Sequence, residues 1–380
     1  HLGGRSLVAG RIPHHSDHVD RSQLVNPANG PNTRKKALLL SFAALLAAAA
    51  AGHEVGGYYP GYGVKSLPPE KINLDTYDLI YHAFLRFDRE GNLKPDDGLE
   101  IDRTVKAVHA KPGRKILISV GGGNYNIMPS VCDTPEKADQ AAAKIVEFAL
   151  RNGYDGIDLD WEGDMNKINA ERFKNLADAI RKRLDAAGPG KLFTITVGAE
   201  WFVRHLDKEM LNRADRINLM AYDFNWNQAR YHAPLRAPAD VPDAICTERV
   251  LKFFAAEKGI PKDKICIGLP FYGYCYENLA PGETIPKNDP AKRRTSLGWK
   301  DIVKKSAGMT RNFDPQTCGV AWQSADGKTL ILADDAESIA AKTRWAKENG
   351  YRGVFVWAIY HDSMPDGSTP LSDALRDAAK

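Results

Sequence analysis

Five cysteines in 380 residues are too few and too scattered for a disulfide scaffold. Cys132, Cys246, Cys266, Cys275 and Cys318 form no C-x-x-C pair and no cluster with histidine, so their spacing points to no metal site. An odd count leaves at least one thiol unpaired within the chain, with Cys275–Cys318 a conceivable bridge. The apolar run Ala37–Ala51 is 15 residues long, short of the roughly 20 that span a bilayer. Charge of one sign is also scarce. The formal excess is +4, and the first 52 residues hold six basic against two acidic side chains, so the remainder carries 46 of each. A formally neutral body has no field to steer a polyanion, which argues against DNA or RNA as partner. The 22 prolines and 32 glycines are scattered and no internal repeat is present, which excludes collagen-like and low-complexity chains.

What is present begins with a leader pattern. Arg34-Lys35-Lys36 precedes the alanine-rich run, which reads as a secretory signal peptide over 34–52 with cleavage near Ala51. That reading places the mature protein outside the cell, without stable membrane association after cleavage. Residues 1–33, which start at His1 and contain no methionine, read as a non-native or mis-translated leader and are set aside for fold reasoning.

From Val55 onward, short β-rich apolar runs alternate with helical patterns. Strands are expected at 55–60, 78–84, 115–120, 154–160, 192–198, 215–222, 265–271 and 353–358. Most are continuous apolar runs, as in parallel strands buried on both faces. Helices are expected over 135–151, where Thr134-Pro135 supplies an N-cap and an N1 proline, and over about 169–187. Eight strands with crossover helices over 53–380 indicate an α/β fold, a (β/α)8 TIM barrel. An open doubly wound sheet usually shows a Gly-rich phosphate loop after its first strand, and none is found. One long irregular connection, about 276–332, separates strands seven and eight and reads as a small inserted lid or subdomain.

The stretch Asp155-Gly-Ile-Asp-Leu-Asp-Trp-Glu162 carries the chemistry. Alternation along a strand puts Asp158, Asp160 and Glu162 on one face, spaced by about 6.6 Å in rise, with Ile157, Leu159 and Trp161 toward the helices. Three carboxyls pointing inward are costly unless they share protons or serve a reaction. Like charges so placed raise the pKa of some members, which suits a terminal Glu to general-acid work near neutral pH. A hydrogen-bonded structural network and a divalent-metal site are the competing readings. The ladder is collinear rather than convergent and has no nearby His in sequence, which disfavours the metal.

The segment resembles the D-x-x-D-x-D-x-E signature of family 18 glycoside hydrolases, the chitinases. Gly57-Tyr58-Tyr59, Ser119-Val120-Gly121-Gly122, Met220-Ala221-Tyr222-Asp223, the G-L-P-F-Y-G at 268–273 and Trp357 follow in the family's order. The resemblance covers Val55 to His361. It implies a (β/α)8 barrel cleaving β-1,4-linked N-acetylglucosamine in chitin or chitooligosaccharides, acting as a monomer without cofactor or metal.

By the same resemblance, Glu162 protonates the glycosidic oxygen. Asp160 orients the substrate's acetamido group and stabilises an oxazolinium ion, Asp158 shares a proton with Asp160, and Tyr222 bonds the acetamido oxygen. Asp223 contacts the distorted sugar and Trp357 forms the floor beneath it. Further substrate contacts are implied for Met220, Tyr58, Phe84, Ser119, Gly121, Gly122 and Tyr125. Substrate assistance predicts retention of anomeric configuration.

Two positions depart from the pattern. Gly163-Asp164 follows Glu162 where chitinases usually carry an aromatic and a proline, and Gly123 stands where many carry a Trp. Trp201 and Trp226 are candidates for alternative stacking or for structural roles. Competing activities are an endo-β-N-acetylglucosaminidase acting on N-glycans, a hydrolase of bacterial cell-wall glycan, and a catalytically silent lectin. A different mechanism would use Glu277 as protein nucleophile opposite the strand-four acid.

Overall fold

The computed structural model describes residues 53–225 and 227–380. The expected leader and signal segments, and Trp226, lie outside the described residues. Eight parallel strands close into a barrel: β1 (Glu54–Pro60), β2 (Leu79–Phe87), β4 (Lys115–Gly121), β5 (Gly156–Asp160), β6 (Leu192–Val197), β7 (Arg216–Leu219), β8 (Ile265–Pro270) and β14 (Gly353–Trp357). The ring runs β1-β14-β8-β7-β6-β5-β4-β2, and β2 pairs back onto β1. This is the (β/α)8 fold that the alternating runs led us to expect. A short β3 (Leu93–Pro95) folds antiparallel onto the end of β2.

Side chains that face outward from the strands, such as Ile116, Ile118, Ile157, Leu159 and Ile195, are fully buried against the helices. The helix Pro135–Arg151 starts where Thr134 accepts a hydrogen bond from the Lys137 N–H. The next, Lys167–Ala186, begins two residues before its expected start, because the Asn166 carboxamide accepts from both Ile168 and Asn169. At the N-terminal end of the barrel, Glu54 on β1 holds Arg216 at 2.8 Å and Arg352 at 3.3 Å, tying β1, β7 and β14 together.

The connection between β8 and β14 is regular rather than irregular. It folds as a five-stranded antiparallel sheet in the order β10 (Arg293–Gly298), β9 (Tyr272–Glu277), β13 (Thr329–Ala333), β12 (Gly319–Gln323), β11 (Thr310–Asp314). It starts at Tyr272 rather than near Tyr276. On β9, period-two alternation puts Tyr272, Tyr274 and Tyr276 in one apolar cluster and Cys275 in another. The Lys342–Asp334 ion pair, 2.7 Å and nearly solvent-free, joins the end of this sheet to the helix Ala336–Glu348. All five cysteines are free, Cys275 and Cys318 included.

Candidate active site

The carboxylate ladder runs up β5 to the C-terminal mouth of the barrel. Parallel register aligns Ser119, Asp158 and Thr194 across β4, β5 and β6. Asp158 is 0% exposed and accepts four hydrogen bonds. Tyr58 (2.8 Å) and Ser119 (2.7 Å) donate to Oδ2, and Thr194 (2.7 Å) and Thr196 (2.9 Å) to Oδ1. Burial nonetheless outweighs these bonds and raises its pKa above the usual carboxylate range. One turn of the pleat higher, Asp160 is 2% exposed and its Oδ1 is buried without a partner. Burial, then the neighbouring Glu162 and Asp158, push its carboxyl well above the ordinary value. The two aspartates thus favour holding a proton over bearing two charges.

Glu162 follows β5 and reaches the cleft. Burial, then the Asp223 carboxylate, raise its pKa to about 6, against the opposing pull of the Arg86 guanidinium. Such a group can hold a proton for a leaving oxygen near neutral pH. Asp223 is the opposite case. Burial pushes its carboxyl up, but His232, Tyr274 and Tyr272 outweigh this and hold it below the usual value. Two carboxyls with pKa values driven apart are the signature of divided acid and charge-stabilising roles.

The cleft around them has a volume of about 770 Å³. Phe84 stacks on Trp357 at 5.8 Å between centroids and 20° between planes, and Tyr58 tilts against Trp357 at 5.4 Å. Met220 and Tyr222 pack on the same interior cluster. An aromatic floor beneath a few carboxyls and hydroxyls suits the apolar face and polar rim of a sugar ring. Among the described residues, the carboxylates lining this cleft are Asp160, Glu162 and Asp223.

Residues 54–362 match the family Glycosyl hydrolases family 18. The chain belongs to this family. It is therefore a glycoside hydrolase by kinship as well as by its site. A relative described as "Probable chitinase 2" from Drosophila melanogaster is 29% identical over 366 residues, covering 85% of this chain and 73% of its own length. Two solved structures share the fold at TM-score 0.74 and 23% identity, covering 86% of this chain and 99% of theirs. One is a family 18 chitinase from Cycas revoluta in complex with (GlcNAc)3, the other a chitinase-like agglutinin from Robinia pseudoacacia.

In this family 18 chain, Glu162, Asp160, Tyr222, Asp223, Met220, Trp357, Tyr58 and Phe84 all line one cleft. Four other expected contacts do not. Ser119 is fully buried and spends its hydroxyl on Asp158, so it positions the ladder. Gly121 (φ 119°) lets the chain pass beneath β5, where a Cβ would lie 2.0 Å from the Asp160 carbonyl oxygen. Gly122 (φ 85°) lies under the Phe84 ring, 2.5 Å from where a Cβ would be. Tyr125 turns into the protein, accepting from the Phe87 N–H at 2.7 Å and donating to the Phe87 carbonyl at 3.1 Å. These four belong to the frame rather than to the sugar-facing wall. Glu277 sits on β9, paired with Arg293 and Lys305 and held below the ordinary carboxyl pKa by hydrogen bonding to Arg293. It is not among the residues that line the cleft.

Sequence reasoning missed Thr194, Thr196, Arg86, Tyr272, Tyr274 and His232. The Thr-Ile-Thr alternation on β6 was a readable signal, since polar residues at i and i+2 inside an apolar strand need an interior partner. Arg86 shares the parity of Phe84 on β2. Its guanidinium lies 5.3 Å from the Phe84 ring, pairs with Asp96 at 3.1 Å and reaches the Gly123 carbonyl at 3.5 Å. Trp201 is 64% exposed on the wall of the cleft, which sets aside a core role.

Proposed function

We propose that the protein is a secreted, monomeric chitinase that hydrolyses β-1,4-linked N-acetylglucosamine chains with retention, using the substrate's own acetamido group as nucleophile. The observation carrying this reading is the carboxylate inventory of the cleft. Glu162 has a pKa suited to an acid, Asp160 is buried at the mouth with a spare oxygen, and Asp223 is bound by Tyr274 and His232. Among the described residues lining the cleft, Asp160 favours its protonated form and Asp223 is engaged by His232 and the tyrosines, which supports the substrate's own acetamido oxygen as the attacking group.

In this mechanism the sugar rests on Trp357, and its acetamido group enters between Asp160 and Tyr222. Asp160 takes the N–H and the Tyr222 hydroxyl donates to the carbonyl oxygen, aiming that oxygen at the anomeric carbon. Glu162 delivers its proton to the glycosidic oxygen as the bond breaks. The oxazolinium ion that forms is positive, and Asp160 stabilises it as its proton is shared with Asp158. Water then attacks the anomeric carbon, Glu162, now a carboxylate, takes the water's proton, and the bond from that carbon to the acetamido oxygen breaks to restore the acetamido group and the acid.

Gly123 fits this picture on the leaving-group side. A Cβ there would sit in ordinary contact, 3.4 Å from Glu162 Oε2, so position 123, where many chitinases carry a Trp, lies directly beside the acid. Trp201, exposed on the wall of the same cleft, offers a ring on which a sugar could stack. The test is chitohexaose hydrolysis by Glu162→Gln and Glu277→Gln. The first should lose activity by at least about a thousandfold while still binding the hexamer, and the second should retain most of it. Trapping of a glycosyl-enzyme through Glu277 would overturn the reading.

A further inference from the structure

His232 is a buried imidazole that takes no part in the catalytic steps above. It is 1% exposed and lies between Tyr272 and Tyr274, with ring centroids 5.0 and 4.9 Å away. Its Nδ1 is 3.1 Å from Asp223 Oδ1 and 3.3 Å from the Asp223 backbone N, while its Nε2 is buried without a partner. Asp223 itself has φ 60°, a left-handed conformation that residues other than glycine rarely adopt. This conformation turns the backbone N–H and the carboxylate of Asp223 toward one ring nitrogen. The Phe224 N–H to His232 carbonyl bond, 2.9 Å, closes the loop between them.

One nitrogen cannot serve both contacts. A protonated Nδ1 donates to the carboxylate, whereas a bare Nδ1 accepts the backbone N–H. The carboxylate contact is shorter and charge-assisted, so we assign the proton to Nδ1. We propose that His232 is a positioning residue that acts through its Nδ1–H, holding the Asp223 carboxylate ionised and facing the sugar. The inference rests on the family 18 reading of the site and extends it to a residue outside the cleft wall.

The groups around the pair that hydrogen-bond the Asp223 carboxylate are His232, Tyr274 and Tyr272. Tyr274 donates to the same Oδ1 at 2.7 Å, and the Arg294 guanidinium lies over the Tyr274 ring at 4.5 Å. Tyr272 packs on the imidazole and on Tyr222, and Glu162 faces Asp223 across the cleft. Behind the loop, Lys342 donates to the Ala233 carbonyl at 2.6 Å and pairs with Asp334. Lys342 is thus already engaged and anchors the loop.

Three variants separate a proton donor from a space filler. His232→Asn keeps an N–H near the place of Nδ1, His232→Gln places one near Nε2, and His232→Leu keeps neither. On chitohexaose, Gln and Leu should lose roughly 10- to 100-fold in kcat, and Asn should stay within about threefold of wild type. Without its donor Asp223 has a higher pKa, so the acidic limb of the kcat profile should move up by about one pH unit in Gln and Leu but not in Asn. Asn and Gln falling together, or an acidic limb that stays put in Gln, would overturn the proposal.

Carbon-13 NMR of the Asp223 carboxyl in the intact chain reads the link without turnover. Its midpoint should rise in Gln and hold in Asn, and an unchanged midpoint in Gln overturns the proposal whatever the activity. A wild type that cleaves no chitooligosaccharide, with the Asp223 midpoint still rising in Gln, would remove the chitinase reading and keep His232 in its role.

Discussion

Arg86→Met should extend activity into more alkaline solution. In the native cleft the guanidinium opposes the burial and the Asp223 charge that raise Glu162 to about 6. A general acid must be protonated to act, so kcat/KM falls as pH rises through that value. At pH 7 only about one tenth of Glu162 carries its proton, and at pH 8 about one hundredth. Arg86 is a quarter exposed and already paired with Asp96, so its influence is screened and is worth about half to one pH unit rather than the two or three of a dry contact. Its removal raises the Glu162 pKa and moves the alkaline limb up by that amount. Relative to each enzyme's own plateau, kcat/KM at pH 7 should rise about three- to fivefold. The assay is a pH series on chitotetraose from pH 4 to 9 for both proteins. A limb that stays in place, or moves to lower pH, would refute the electrostatic account of Glu162.

Other perturbations test the frame. Asp158→Ala strands the hydroxyls of Tyr58, Ser119, Thr194 and Thr196 in a dry barrel, and should cost about 3–5 kcal/mol and lower Tm by roughly 5–15 °C. A thermal melt shifted by under 2 °C would contradict that. Gly122→Ala forces a Cβ against the Phe84 ring at a positive φ, and should raise KM for chitotetraose by displacing the Phe84–Trp357 stack. An unchanged KM would separate the floor from Gly122. Lys342→Met leaves Asp334 buried and uncompensated, so urea unfolding should show a loss of about 3–5 kcal/mol. A midpoint equal to wild type would count against that ion pair as the anchor of the inserted sheet.

How much of this was legible in the sequence depends on how strongly each segment is patterned. The eight barrel strands are buried on both faces, and continuous apolar runs such as Lys115–Gly121 declare themselves. The ladder was readable because period-two alternation, applied to Asp158 through Glu162, separates the interior carboxyls from Ile157, Leu159 and Trp161; the last packs on Phe173 outside the barrel. The same alternation would have found Thr194 and Thr196, and would have set Arg86 beside Phe84. Strands β10 and β11 escaped because Arg293–Gly298 and Thr310–Asp314 are largely exposed and have no apolar face to betray their period. β7 stops at Leu219, three residues before its expected end, since Met220 to Tyr222 leave the ladder to bring the Tyr222 side chain into the mouth. His232 gave no local signal. It stands alone between Tyr231 and the Ala233-Pro234 turn, and its partnership with Asp223 is created by folding.

The central claim is that the substrate's acetamido oxygen, not a protein carboxylate, attacks the anomeric carbon while Glu162 supplies the proton. Proton NMR of chitohexaose hydrolysis in its first minutes, before mutarotation, reads this directly. The account predicts new reducing ends that appear as the β-anomer, and no such product from Glu162→Gln. Newly formed α-anomer would contradict it.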